Sequence, residues 1–369
     1  MIKKVIRFGI IGAALAIVVI GVMFFLRNSK YSKIDSITLI EERAVGQVKY
    51  SKYKGGILKS GRDGAQYLDK EGNLIWTQAF LINNPKVAIS GDRVAVADIK
   101  GNNVYIFNEK GKTSDLSTPY TIIDLAISQN GVVAVTMEDK LYNYVFIYDS
   151  MGGIIAESKT SMERDGIPLS VTISDDGTKL VTSYLHTDGT NISSRVTFYR
   201  FDEVGKNFSD RFLGSFTNEG VIIPKIDFIN NDTLIAFSDS KIIIYDASYI
   251  PKATKEIEVL EQIAGVFANE GYFGIVKEMP INNKKYHVDV FDSSGKPEGG
   301  FGTNLDYKEL ILNDEEIIIS NGFRWEIYNL KGKLKYEGSF DSSVEKVLPI
   351  KKARYILVST NKVEEIKLK

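Results

Sequence analysis

VAISGDRVAVADIKGNNVYIFNEKGK, residues 87–112, sets three short apolar runs between turns. The first run is VAIS from Val87; GD follows, then Arg93 to Ala97, then YIFNEKGK from Tyr105. β-Branched and aromatic residues in short runs bounded by Gly, Asn and Asp read as strands of a hairpin ladder. The glycines permit the positive φ that tight turns require, and Asn or Asp caps the preceding bend. The same order recurs along the chain. Runs equivalent to VAIS begin at Val48, Val87, Leu125, Val171, Ile226, Val266, Leu310 and Val347, with spacings of 39, 38, 46, 55, 40, 44 and 37 residues. QNG precedes the second run at Val132, DDG the one at Thr178 and NND the one at Thr233. Third runs end in FIYDSMGG from Phe146, VFDSSGK from Val290 and IYNLKGK from Ile327.

Units of about forty residues have the period of propeller blades. Three strands per unit plus one leading onward make four, which predicts an all-β fold, a β-propeller of four-stranded blades. Eight blades result if ITLI (Ile37 to Ile40) forms the innermost strand of the first; seven result if the weak first unit completes the last. Solenoid repeats are usually shorter, and sandwiches do not demand an eightfold recurrence of one order. The apolar first runs suit inner positions. Most of the 19 Tyr and 19 Phe are explained by packing between blades.

At 369 residues, 44% hydrophobic and 25% charged, the chain has the composition of a folded protein with a substantial core. The net charge of −1 conceals an asymmetry, because Lys3, Lys4, Arg7, Arg27, Lys30 and Lys33 meet no acid before residue 34. The rest therefore carries 40 basic against 47 acidic residues, or −7. Such a domain repels phosphate backbones on average and shows no local basic stripe, so no nucleic-acid partner is expected. The chain has no Cys, which excludes disulfides, thiolate nucleophiles and Cys-ligated metals.

Phe8 to Leu26 reads FGIIGAALAIVVIGVMFFL, nineteen residues without a charge, long enough to span about 28 Å as a helix. It ends in bulky residues and Arg27 rather than a small-x-small cleavage signature, so it is expected to remain as a transmembrane anchor. Basic residues flank both ends. The seven-residue N-terminal tail with three positive charges is expected in the cytoplasm, because long C-terminal domains translocate largely regardless of charge. The expected domains are residues 1–33, holding tail, anchor and short stem, and residues 34–369, a propeller outside the cytoplasm at the cell membrane.

GNLIW (Gly72 to Trp76) resembles the Gly-x-x-x-Trp step of quinoprotein-like repeats, and SDDGTKL (Ser174 to Leu180) resembles the inter-strand turn of WD40-like propellers. WTQAF (Trp76 to Phe80), KTSMERDGIPLSVTISDDGTKLVTSYL (Lys159 to Leu185) and VTFYRFDEVGK (Val196 to Lys206) carry a wider likeness. Over nearly the whole chain the order of segments resembles an uncharacterised clostridial family, a domain of unknown function with an N-terminal anchor and a WD40-like or quinoprotein-like propeller. That resemblance implies fold and anchoring and lends no activity. With two His and two Trp, the chain departs from the polar tetrad of WD40 blades. Trp76 and Trp325 are also too few for a quinone-cofactor site.

Chemistry is sparse. No Gly-x-Ser-x-Gly elbow accompanies His186 or His287, and no Asp-x-Asp-x-Asp-Gly loop is present. No cofactor, metal site or catalytic residue is therefore expected. The 55-residue unit from Val171 departs furthest from the period, with a polar hairpin around Asp188 and Gly189 and the stretch Asn207 to Gly220. Extra loop length projects from a propeller face, where binding resides, so Tyr184, His186 and Asp188 are singled out as an interaction surface. The expected function is a monomeric binding scaffold for a protein or cell-envelope polymer. The alternative is a carboxylate-dependent propeller hydrolase or lyase acting on glycans, which needs two facing carboxyls.

Overall fold

Each run that opens a unit becomes the first strand of a four-stranded antiparallel sheet, and there are eight such sheets. The computed structural model describes residues 30–41, 48–313 and 315–369. The apolar segment Phe8 to Leu26 lies outside them, and among the described residues no helix is long and apolar enough to cross a membrane. In chain order the strands are β1 (Ile34–Ile40), β2 (Lys49–Tyr53), β3 (Gly56–Gly61), β4 (Gly64–Leu68), β5 (Leu74–Ala79), β6 (Pro85–Ser90), β7 (Arg93–Asp98), β8 (Asn103–Asn108) and β9 (Gly111–Ser117). The third blade is β10 (Thr121–Ile127), β11 (Val133–Glu138), β12 (Tyr142–Tyr148) and β13 (Ile154–Ser161). A one-turn helix, α1 (Met162–Asp165), leads to the fourth blade, β14 (Ile167–Ile173), β15 (Lys179–Asp188), β16 (Asn191–Arg200) and β17 (Phe212–Glu219). Blade five is β18 (Lys225–Asn230), β19 (Thr233–Phe237), β20 (Lys241–Asp246) and β21 (Lys252–Glu258). Blade six is β22 (Gln262–Ala268), β23 (Tyr272–Ile281), β24 (Lys284–Asp292) and β25 (Pro297–Thr303). Blade seven is β26 (Glu309–Asn313), β27 (Glu316–Ser320), β28 (Arg324–Asn329) and β29 (Leu334–Ser339). The last strands are β30 (Val344–Lys351), β31 (Arg354–Ser359) and β32 (Val363–Leu368).

One expectation is corrected here. ITLI is not the innermost strand of blade one; it belongs to β1, which pairs with β32 from Ile34↔Leu368 to Ile40↔Val363 as the outer strand of blade eight. The reason is strand supply. The unit at Val48 contains all four strands of its own blade, whereas the C-terminal unit has three and borrows its fourth from the other end of the chain. The blade number is eight.

Burial is graded across each blade. Second strands are enclosed on both faces by neighbouring blades and read as near-continuous apolar runs, as in β7 (RVAVAD) and β27 (EIIIS). The first strands, expected to be the deepest, are often only half-buried, as in β6 (PKVAIS) and β22 (QIAGVFA), because their inner edge faces the channel. Outer strands such as β21 (KATKEIE) are largely exposed and charged, which protects an unpaired edge from adding a foreign strand.

No single core exists. Each of the eight seams between adjacent blades holds its own apolar cluster, and the seam between blades eight and one joins Tyr50, Ile57 and Leu68 to Leu348, Ile356 and Val358. Aromatic residues cross several seams. Trp76 stacks on Phe107 at 5.1 Å, Phe301 on Tyr328 at 3.7 Å, and Trp325 meets Tyr355 edge-on at 5.3 Å. Gly332 is required at the sixth seam: its φ is +81°, and a Cβ there would lie 1.8 Å from the carbonyl oxygen of Gly300.

Alternating strand direction gives the ring two rims. First strands run from an upper rim to a lower one, so turns joining first to second and third to fourth strands lie below. Second-to-third turns and the crossings between blades lie above. Because β1 is an outer strand, it rises from the lower rim, and Tyr31 to Lys33 lie there. Ser32 and Lys33 donate backbone hydrogen bonds to the Lys369 carbonyl, and Lys369 returns one to Lys33.

Candidate functional site

The 55-residue unit divides its extra length between the two rims. The hairpin of β15 and β16 is fully paired out to Asp188↔Asn191 and rises on the upper rim. Residues 201–211 form a lower-rim loop containing two short 3₁₀ turns, and most of the stretch from Asn207 to Gly220 is the strand β17. The unit therefore does not project one continuous surface.

Tyr184, His186 and Asp188 share one face of β15 by strand alternation, yet their environments differ. Asp188 is exposed and His186 half-buried, whereas Tyr184 is 1% exposed. Tyr184 points into the seam between blades three and four, where burial pushes its phenol well above the ordinary range. A cleft of about 280 Å³ opens there, with Thr160, Asp165, Tyr184, Arg195 and Thr197 among its lining residues. Interior blades have a neighbour on each face, so a face that alternation marks as outward is solvent-facing only near a hairpin tip.

Around that tip the upper rim is built firmly. Asn143 donates its side-chain amide to the Gly166 carbonyl at 2.9 Å, Met162 donates its backbone N–H to Leu141, and Ser161 caps α1. Burial raises the Asp165 carboxyl, but the Ser161 N–H and the guanidinium groups of Arg164 and Arg195 outweigh it, and the pKa is lowered. On this scaffold Leu141, Ile167 and Ile192 are exposed beside His186 and Asp188. Further round the same rim are Leu81, Phe323 and Leu260, the last 95% exposed. Exposed apolar side chains in loops gain nothing from folding, and when grouped they mark contact surfaces. The lower, outer edge has apolar residues of its own, Met151, Ile154, Phe212, Tyr249 and Ile250.

The channel is lined by charge in pairs. Lys86 pairs with Asp124 and Lys346 with Glu309, each bridging neighbouring inner strands, and Lys225 lies 3.4 Å from Asp227. Burial raises the Asp227 carboxyl, partly offset by Lys225. Below, Ser90 donates to Asp175 at 2.8 Å, Asp176 N–H to Asn231 at 2.9 Å, and the buried Lys179 ammonium to the Asn231 carbonyl at 2.9 Å. These bonds tie the lower turns of blades two, four and five together. Among the described residues no group of three or more His, Asp or Glu side chains is placed to hold a metal ion. His287 lies 3.3 Å from Asp289 on β24.

Solved structures share this architecture at low identity. BamB from Moraxella catarrhalis superposes with a TM-score of 0.54 at 12% identity, covering 91% of this chain and 99% of that one. The WD40 domain of SCAP from fission yeast gives 0.53 at 11% identity, covering 90% and 98%. Apo AztD from Citrobacter koseri gives 0.55 at 9% identity, covering 85% and 90%. These likenesses establish the fold alone. No curated protein sequence matches this chain. A family model does, over residues 27–368, a span that takes in all eight blades and the residues fixing Tyr31 to the lower rim. The chain belongs to DUF5711, a family of unknown function.

Proposed function

We propose that this protein is a membrane-anchored, extracytoplasmic binding scaffold that holds a rigid ring near the outer face of the membrane and presents its upper rim to a protein or envelope polymer. The observation that carries the reading is the placement of exposed apolar residues, Leu141, Ile167, Ile192, Leu260 and Phe323, on the rim opposite the one where Tyr31 joins the ring. The uncharged run Phe8 to Leu26 supports the anchor. A stem attached below leaves the upper rim facing away from the lipid. Ion pairs already occupy Asp124, Asp227 and Glu309 on the inner strands, which favours binding over carboxylate-assisted hydrolysis or elimination.

The test is a photo-crosslinking residue placed at Leu141, Leu260 or Tyr249 of the full chain in its native host. A discrete adduct from the two upper positions and none from Tyr249 is the expected result. Equal, diffuse labelling from all three would reject the upper rim as the contact surface.

A further inference from the structure

The lower rim is polarised in charge, and the polarity follows the position of the N-terminal segment. On blades seven and eight, the lower turns and the chain ends bring together Lys33, Lys331, Lys333, Lys352, Lys367 and Lys369, all exposed. They come from four separate segments, so no basic stripe is visible along the sequence. Two buried or interspersed groups register their field. Burial lowers the Lys335 ammonium, and the positive charges of Lys352 and Lys333 lower it further against the pull of Glu316. Asp35 is lowered chiefly by its hydrogen bond to Lys369, with Lys367 and Lys33 adding to the effect. Among the acids on this arc, Asp35 pairs with Lys369, Glu365 with Arg354 and Glu316 with two phenols, and Glu315 is exposed in the lower turn of blade seven. Across the ring, the lower turns of blades three to five hold Asp149, Asp175, Asp176, Asp232 and Asp246, with Lys179 shared by Asp176 and Asp232 and Lys252 beside Asp246. One half of the rim carries an excess of basic side chains and the other an excess of acidic ones.

The basic half is the half beside the stem. Tyr31 is fixed there by its N–H to the Lys335 carbonyl at 2.8 Å and its hydroxyl to Glu316 at 2.7 Å. Tyr31 lies five residues after Leu26, the end of the apolar run, a reach of at most about 18 Å when fully extended. A tether that short holds the lysines within one or two screening lengths of a lipid surface. Juxtamembrane lysines attract anionic headgroups over that range.

We infer that the lysine-bearing arc of blades seven and eight docks against anionic phospholipid headgroups, tilting the ring so that this arc touches the bilayer and the acidic arc lifts away. The inference rests on the anchored reading above. Docking fixes which part of the upper rim stands highest, namely that over blades three to five, where Leu141, Ile167 and Ile192 are found.

Because the chain has no Cys, single cysteines give unambiguous probes. The full chain, carrying Lys351→Cys on the lower rim or Ser342→Cys on the upper, is labelled with an environment-sensitive fluorophore. It is then placed in nanodiscs of phosphatidylcholine alone or with phosphatidylglycerol, each doped with headgroup-quencher lipid. Quenching at position 351 should rise at least about twofold in the anionic discs, fall again with added salt, and disappear in Lys331→Gln/Lys333→Gln/Lys352→Gln. Position 342 should stay unchanged. Equal quenching at 351 in both discs overturns docking while leaving the anchor standing. Failure of the chain to enter either disc overturns the anchor and, with it, this inference. A short DNA duplex that displaces the 351 probe from anionic discs at physiological salt would assign the arc to nucleic acid instead.

Discussion

The hydroxyl of Tyr31 donates a 2.7 Å hydrogen bond to Oε1 of Glu316, and the hydroxyl of Tyr355 donates one of 2.6 Å to Oε2 of the same carboxylate. Glu316 is 2% exposed, so it depends on those two phenols for the solvation it loses. Burial and the adjacent carboxylate raise both phenols, keeping them protonated donors. The pair joins the residues preceding the first strand to blades seven and eight, across the place where the ring closes.

Loss of the Tyr31 hydroxyl should therefore loosen closure. Tyr31→Phe is expected to cost about 1.5–3 kcal/mol, the range for a hydrogen bond to a charged group, read as a lower midpoint in denaturant unfolding. Residues 30–369 should be measurably more stable than residues 35–369, which lack Tyr31 and the backbone bonds from Ser32 and Lys33. Indistinguishable midpoints would mean that β1 alone closes the ring.

Seams, rather than blades, are the units of stability. Trp325 is 1% exposed and packs against Tyr336, Phe340 and Tyr355, so Trp325→Ala should cost about 3–5 kcal/mol. Gly332→Ala should cost at least about 2 kcal/mol, from strain at positive φ and the clash with Gly300. Gly189→Ala, where φ is +59° and no neighbour lies within 4 Å, separates the two effects, since it carries the backbone strain without the clash. Equal losses for the two glycines would remove the seam contact from the explanation.

What the sequence disclosed and what it hid divide along contact range. First strands, turn glycines and the four-strand order are local, so spacing and turn chemistry reveal them. The partner of ITLI is more than 320 residues away at β32, and no local pattern distinguishes an inner strand of blade one from an outer strand of blade eight. The lysines of the lower rim stay hidden for the same reason: ring closure, not sequence proximity, brings Lys33 beside Lys367 and Lys369. Tyr184 misleads in another way, because a polar hairpin's alternation continues down the strand into a seam, where the same face is buried.

Acid should unfold the ring through its turns. The Asp69 carboxyl is held below the ordinary 3.8 by hydrogen bonds from Asn73, that of Asp139 by the N–H groups of Leu141 and Tyr142, and that of Asp292 by Ser294. A folded pKa below the unfolded one means the unfolded chain binds more protons in between, so the stabilisation is present above about pH 5 and lost as pH falls through the folded values. The melting temperature should be level from neutral pH to about 5 and drop below about 4. Asp69→Asn/Asp139→Asn/Asp292→Asn keeps an acceptor at each turn and should flatten that drop; an unchanged slope would place the acid sensitivity elsewhere.

Asp227 has the opposite sign. It sits on inner strand β18 facing the channel, its side chain part-exposed, and the protein crowded around it raises its carboxyl despite Lys225 at 3.4 Å. Its folded pKa lies above its unfolded one, so the unfolded chain ionises first as pH rises and folding loses stability through that window. Asp227→Asn removes the cost. It should therefore raise the melting temperature at neutral pH and leave it unchanged at pH values where the carboxyl is protonated in both states. A variant less stable than wild type at neutral pH would show that the ion pair with Lys225 outweighs the desolvation of Asp227, and that the charges beside the channel stabilise the ring rather than strain it.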